Sequence, residues 1–246
     1  MQLILIALCA LASVASGARA QQNIGSTAAA HNDVSRELSG ATGPLGVGDS
    51  VYRDEVVRTG ADSTAKLVFL DSTNLGVGPV SRVTLDQFVY VGEVNGQKMT
   101  VNLVKGVFRF TTGALDKKAY TISTPTAAIG VRGTVLDIGV QSALTRVTLR
   151  EGRALLCPRR PGITFEQQVR NCTKANGSFG GPHCDCIDLT HPGQTAQVKK
   201  SGNASLTSIP VDFASLCAGD SNLCSGSSYA DAGQGGGFPS GALCGR

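Results

Sequence analysis

Ala65-Lys66-Leu67-Val68-Phe69-Leu70-Asp71-Ser72-Thr73-Asn74-Leu75-Gly76-Val77-Gly78-Pro79-Val80-Ser81-Arg82-Val83-Thr84-Leu85 is the stretch that decides the fold class. Its apolar residues fall in pairs, Leu67/Phe69, Leu75/Val77 and Val83/Leu85, and each pair begins eight residues after the last. A two-residue spacing puts both side chains of a pair on one face of a β-strand. Between the pairs lie Asp71-Ser72-Thr73-Asn74 and Gly78-Pro79-Val80-Ser81, which are turn formers. A fixed step of this kind predicts strands laid down as successive rungs of a roll or flattened sandwich.

The same texture extends in the C-terminal direction through Phe88 to Val91, Met99 to Leu103, Val107 to Phe110, Ala119 to Ser123, Val135 to Val140, Arg146 to Leu149 and Ala154 to Cys157. Roughly ten strands in about 110 residues predict an all-β domain, a compact β-sandwich or β-roll of many short strands. Gly92, Asn95-Gly96, Gly106, Gly113 and Gly152 supply positive-φ positions for tight reversals, with Lys105-Gly106 and Glu151-Gly152 each opening a strand from a turn. Ile187 to Lys200 is expected to be a returning pair of strands around His191-Pro192-Gly193. Any helices are brief.

Upstream, Leu3 to Val14 is a nearly unbroken apolar run that ends in Ala18-Arg19-Ala20. That pattern predicts a signal peptide over residues 1–20, a mature chain from Gln21, and a periplasmic or secreted protein. No second apolar run reaches the ~18 residues that suggest a membrane helix, so no transmembrane segment is expected in the mature chain. Without Arg19, 21 basic residues face 18 acidic ones. A balance so near neutral argues against nucleic acid as a partner.

Seven of the eight cysteines follow Ala20, and all seven lie at or after position 157. Residues 21–200 are therefore read as one β domain whose insertion, 157–186, relies on crosslinks. Gly and Ser make up 18 of the last 46 residues, so 201–246 is expected to be a low-complexity tail. Export makes disulfides the default reading of the thiols, with Cys157, Cys186, Cys172, Cys184, Cys217 and Cys224 as candidates. Four cysteines allow three pairings. Because Cys157 ends one strand and Cys186 begins its return, Cys157–Cys186 is preferred, with Cys172–Cys184 closing the loop between them. The odd count leaves one cysteine over, with Cys244 expected to be a free thiol or an intermolecular partner. Zinc is the alternative, held by four of Cys157, Cys172, Cys184, Cys186, His183 and His191, although paired C-x2-C spacing is missing.

Several motifs together resemble the FecR domain: Leu45 to Val51, Val56-Val57-Arg58-Thr59-Gly60, Ala65 to Asp71, Gly78-Pro79, Gly106 to Arg109, the block Thr124-Pro125-Thr126-Ala127-Ala128-Ile129-Gly130-Val131-Arg132-Gly133-Thr134, and Glu151-Gly152. The resemblance runs roughly from residue 25 to 200, and the block ending in Arg132-Gly133-Thr134 is its most specific part. It implies a periplasmic β-rich module that transmits or receives a contact, typified by iron-uptake regulators that control a sigma factor. Those regulators carry an anti-sigma segment and a transmembrane helix ahead of the domain, whereas this chain is read with only a signal there. Within the motifs, Arg58 and Arg132 are expected to pin turn carbonyls beside Thr59 and Thr134.

Catalysis is not expected. Gly48-Asp49-Ser50 lacks an evident base among His31, His183 and His191, and Gly76-Val77-Gly78-Pro79 lacks the lysine and helix of a phosphate loop. No cofactor or metal is assigned. The function expected is a protein-binding or signalling scaffold with an envelope protein as partner. The alternative is a binder of anionic glycan or lipid headgroups through Arg150, Arg153, Arg159 and Arg160, four guanidinium groups within eleven residues.

Overall fold

The computed structural model describes residues 21–89, 98–113, 120–174, 179–180, 184–217 and 223. The expected signal peptide, the Gly92 and Asn95-Gly96 turns, His183, Cys224, Cys244 and most of the tail lie outside these residues.

The strands in chain order are β1 (Asn23–His31), β2 (Val34–Leu38), β3 (Ala41–Pro44), β4 (Ser50–Tyr52), β5 (Val56–Thr59), β6 (Thr64–Phe69), β7 (Asn74–Val77), β8 (Arg82–Val89), β9 (Lys98–Thr111), β10 (Tyr120–Ser123), β11 (Ala127–Gln141), β12 (Leu144–Pro158), β13 (Ile187–Leu189), β14 (Thr195–Lys199) and β15 (Ala204–Thr207). Two helices, α1 (Phe165–Cys172) and α2 (Ala214–Cys217), complete the described elements. The fold is all-β, and the three rungs read from the sequence are β6, β7 and β8.

Hydrogen bonding joins the strands into a continuous sheet folded into two layers. The first layer runs β3-β2-β5-β8, then the N-terminal half of β9, β10, the first half of β11, the second half of β12, and β13. The second runs β4-β1-β6-β7, then the C-terminal half of β9, the second half of β11, the first half of β12, β14 and β15. One apolar core joins them, drawing Val57, Leu85, Val101, Ile122 and Ile129 from the first layer and Leu67, Leu75, Phe108, Ile138 and Val147 from the second.

Three strands, β9, β11 and β12, therefore belong to both layers. Where the sequence suggested turns at Gly106 and Gly152, the chain bends and continues. The buried positions show how. In β9 they are Met99, Val101 and Leu103 before the corner and Phe108 and Phe110 after it. In β11 they pass from Ile129 and Val131 to Leu136 and Ile138, and in β12 from Val147 and Leu149 to Ala154 and Leu156. Odd and even positions exchange roles at each corner, which is the effect of one extra residue in a strand. Gly106 (φ 116°), Gly133 (φ 57°) and Gly152 (φ 80°) are the residues at the bends. Side chains are excluded there. A Cβ at Gly152 would stand 1.9 Å from the Gly133 carbonyl oxygen, and one at Gly106 would stand 2.0 Å from Ser81 Oγ.

β9 and β11 pair directly in the second layer and separate in the first, where β10 enters between them, parallel to β9 and antiparallel to β11. Ile187 to Lys200 does contain two strands, but they do not form a hairpin: β13 joins the second half of β12 and β14 its first half.

Residues 201–217, which composition assigned to a loose tail, add β15 and then fold over the outer face of the second layer. The Val211 N–H donates to Thr148 Oγ1 at 2.8 Å, and the Phe213 ring lies against Gly76 and beneath the Arg109 guanidinium, 5.1 Å from ring centroid to Cζ. Leu216 sits on Gly78. The glycines of Gly76-Val77-Gly78-Pro79 thus make room for these apolar side chains, which outweighs the flexible composition around them.

Under this segment Asp137 is fully buried. It accepts from Arg109 at 2.7 and 2.9 Å and from Arg150 at 2.6 Å, so one carboxylate serves guanidinium groups from β9 and β12.

Candidate functional site: a hydroxyl-lined cleft beside the disulfide loop

The motif residues act mainly as fasteners. Thr59 Oγ1 donates to the Gly78 carbonyl at 2.7 Å and accepts from the Ser81 N–H at 3.0 Å, joining two turns. Thr124 Oγ1 accepts from the Ala127 N–H at 2.9 Å and lies 2.8 Å from Thr145 Oγ1, with Thr126 bonded to the same hydroxyl at 2.7 Å. This buried threonine network closes the turn that carries the exposed Pro125. Thr134 Oγ1 accepts from the Arg132 N–H at 2.8 Å and donates to the Arg153 carbonyl at 3.0 Å, next to the Gly133 corner. The hydroxyls, not the arginines, hold the turn backbone. A threonine oxygen is close enough to the chain to bond locally, whereas a guanidinium is carried away from it. Arg58 instead pairs with Glu37, whose carboxyl is held below its ordinary value by that hydrogen bond and then by the same arginine's charge. The Arg132 side chain is exposed. Gly60 sits where a Cβ would approach Asp33 to 3.0 Å.

The insertion is stapled twice, by Cys157–Cys186 and Cys172–Cys184, the two pairs favoured by the path of the chain. It contains α1, which the sequence reading passed over. Its signal is Thr164-x-x-Gln167: Thr164 Oγ1 accepts from the Gln167 N–H at 3.2 Å while Gln167 Oε1 accepts from the Thr164 N–H at 2.7 Å. Gln168, buried on the inner side of α1, donates to the Pro158 carbonyl at 2.8 Å. Phe165 rests on Gly130, where a Cβ would come within 2.5 Å of the ring. The Cys217 side chain lies outside what the structure describes.

Held in this way, α1 and residues 159–164 form one wall of a cleft of about 560 Å³ on the outer face of the first layer. Its floor alternates with the core. Thr100 and Asn102 of β9 stand beside Thr121 and Ser123 of β10, which stand beside Gly130 and Ala128 of β11. Asp86 and Val104 form the opposite side, and Arg159, Arg160, Ile163 and Phe165 the wall. Asp86 accepts from the Asn102 amide at 2.5 Å.

The four arginines do not form one surface. Arg150 lies on the second layer with Asp137 and the Val211 carbonyl. Arg153 donates to Asp188 through Nε and Nη2, and that hydrogen bonding raises its already high pKa. Arg160 lines the cleft but pairs with Asp185. Arg159 reaches only the Thr124 carbonyl, at 3.4 Å. Sequence proximity misleads here because the Gly152 corner sends residues on either side of it to different layers.

Gly48-Asp49-Ser50 lies in a closed turn, where Asp49 accepts from the Gly46 N–H at 2.7 Å and Ser50 Oγ accepts from Asn23 at 3.2 Å. His31 is exposed, and His191 Nδ1 contacts Thr190 Oγ1 at 2.9 Å. Among the described residues no group of three His, Cys, Asp or Glu side chains is placed to hold a metal ion.

Two crystal structures of a "putative anti-sigma factor" from Parabacteroides distasonis are similar to this chain at 12% identity, with TM-scores of 0.44 and 0.43. The likeness covers 66% and 65% of this chain and 63% and 62% of theirs, so it spans less than two thirds of those proteins. No curated protein matches. Residues 55–155, from the buried Glu55 through β12 past its glycine corner, match the family described as FecR protein.

Proposed function

We propose that this protein is a non-enzymatic, protein-binding or signalling scaffold module of the bacterial cell envelope, working on the periplasmic side. The match of residues 55–155 to the FecR family carries this reading, because the resemblance of its motifs implies a module that transmits or receives a contact. Two disulfides support a location outside the cytoplasm, since such bonds persist in oxidising compartments.

A protein partner also has a physical place to dock. Among the described residues β15 is paired on one side only, with β14. Such an edge offers main-chain donors and acceptors to an added strand. Leu206 within this strand and Ile209 just after it are 61% and 58% exposed.

Immobilised, oxidised protein should retain a defined envelope protein, and a Leu206→Lys/Ile209→Lys variant with an unchanged circular dichroism spectrum should lose it. Direct titration of the purified pair then gives the affinity. If nothing is retained above control at several salt concentrations, or the variant retains the same partner equally well, the reading fails.

A further inference from the structure

We propose that the cleft beside the disulfide loop is a binding site for an acidic saccharide, a short glycan that carries a carboxylate. The proposal stands apart from the protein-partner reading, because it concerns the outer face of the first layer and the docking edge belongs to the second.

The floor supplies the first argument. The half-buried Thr100, Thr121 and Ser123 face outward across adjacent strands, and among the described residues none of their hydroxyls is engaged in a hydrogen bond within the chain. A hydroxyl both donates and accepts, so such a row matches the alternating needs of sugar hydroxyls. Asp86, already fixed by Asn102, adds a directed acceptor at the rim.

Charge supplies the second. Asp185 already balances Arg160. Arg159 has only a long carbonyl contact, so its guanidinium faces the cleft with no acidic partner in the described chain. A planar guanidinium matches a carboxylate with two parallel hydrogen bonds.

The third argument is shape. Ile163 and Val104 are exposed on facing sides, and the half-buried Phe165 ring is lowered into the wall by the absence of a side chain at Gly130. Apolar side chains flanking polar groups suit the two faces of a pyranose ring, which are C–H surfaces bordered by hydroxyls. The volume of about 560 Å³ lies within the range of small-molecule sites. A bare phosphate would leave most of that space and the hydroxyl row unused.

Calorimetric titration of the oxidised full chain tests this with three probes: a tetramer of uronic acid, the neutral glucose tetramer, and a disaccharide containing muramic acid. The two acidic probes separate a uronate polymer from peptidoglycan as the source. At least one should bind saturably, about tenfold or more tighter than the neutral tetramer. Arg159→Gln should remove that preference, and Thr121→Val/Ser123→Ala should weaken binding about fivefold or more, while Arg153→Gln, already paired outside the cleft, should change nothing. Amide shift perturbation on the unmodified protein should centre on Thr100, Thr121 and Ser123, which keeps the test valid if a variant does not fold. The proposal is overturned by no saturable binding up to about 10 mM, by neutral and acidic probes binding equally, by unchanged affinity in the cleft variants, or by perturbation confined to other residues.

Discussion

Replacing Asp137 with alanine removes a buried carboxylate that accepts from two guanidinium groups. Asp137 is 0% exposed, Arg109 12% and Arg150 34%. Arg150 keeps the Val211 carbonyl and can turn toward water, so its share of the loss is small. Arg109 loses two hydrogen bonds and stays packed against Phe213. Removing one partner of a buried, hydrogen-bonded ion pair costs about 3–5 kcal/mol. For a domain of this size each kcal/mol lowers the melting temperature by about 2–4 °C, so a fall of roughly 6–20 °C is expected. Urea and thermal unfolding of the oxidised protein, followed by circular dichroism, measure it. A double-mutant cycle with Arg109→Met isolates the pair, and a coupling of at least about 2 kcal/mol is expected. A loss below about 1 kcal/mol for the single variant would refute the argument, because it would mean that water already screens the triad.

Two glycine substitutions separate backbone conformation from close contact. Gly40 and Gly152 share nearly the same φ, 81° and 80°, but a Cβ meets nothing within 4 Å at Gly40 and the Gly133 oxygen at 1.9 Å at Gly152. Asn tolerates positive φ, so Gly40→Asn should shift stability by less than about 1 kcal/mol and Gly152→Asn should cost about 3 kcal/mol or more in urea unfolding; equal effects would contradict the crossing described at the corners. Chain-entropy reasoning on loops of 29 and 12 residues gives about 3.5 kcal/mol for loss of Cys157–Cys186 and about 3 kcal/mol for loss of Cys172–Cys184 as double alanine variants, read as midpoints in denaturant. Burial raises the Glu55 carboxyl above its ordinary 4.5, opposed by hydrogen bonds from the Tyr52 N–H and Arg36. With the folded value raised, the Glu55 contribution to stability is complete below the unfolded value and declines as pH rises through the folded one. The stability of Glu55→Gln minus that of the natural protein should therefore increase upward from about pH 4.5, and a flat or falling difference would disprove the assignment.

Strand alternation was legible because it repeats every two residues and buries one face, as in Leu67/Phe69 and Leu75/Val77. The corners were not, since a glycine with positive φ inside a bent strand reads like a glycine in a turn. Only the exchange of buried parity across Gly106, Gly133 and Gly152 tells them apart. Composition hid the segment after β15, where Val211, Phe213 and Leu216 are sparse anchors among small residues and find their partners across the sheet at Gly139, Gly76 and Gly78. The cleft was legible in part. Thr124, Pro125, Arg159 and Arg160 were singled out, but Thr100, Thr121 and Ser123 come together only through the parallel entry of β10, and parallel pairing leaves no local mark.

β9, β11 and β12 also bear on how the protein comes apart. Neither layer can peel away alone, because each of these three chains is hydrogen-bonded above and below its own bend. Amide protons at Val101 and Phe108, on opposite sides of the Gly106 corner, should exchange with solvent through one common opening event. Force applied at the β15 edge reaches the far layer along covalent backbone rather than across a sliding apolar contact.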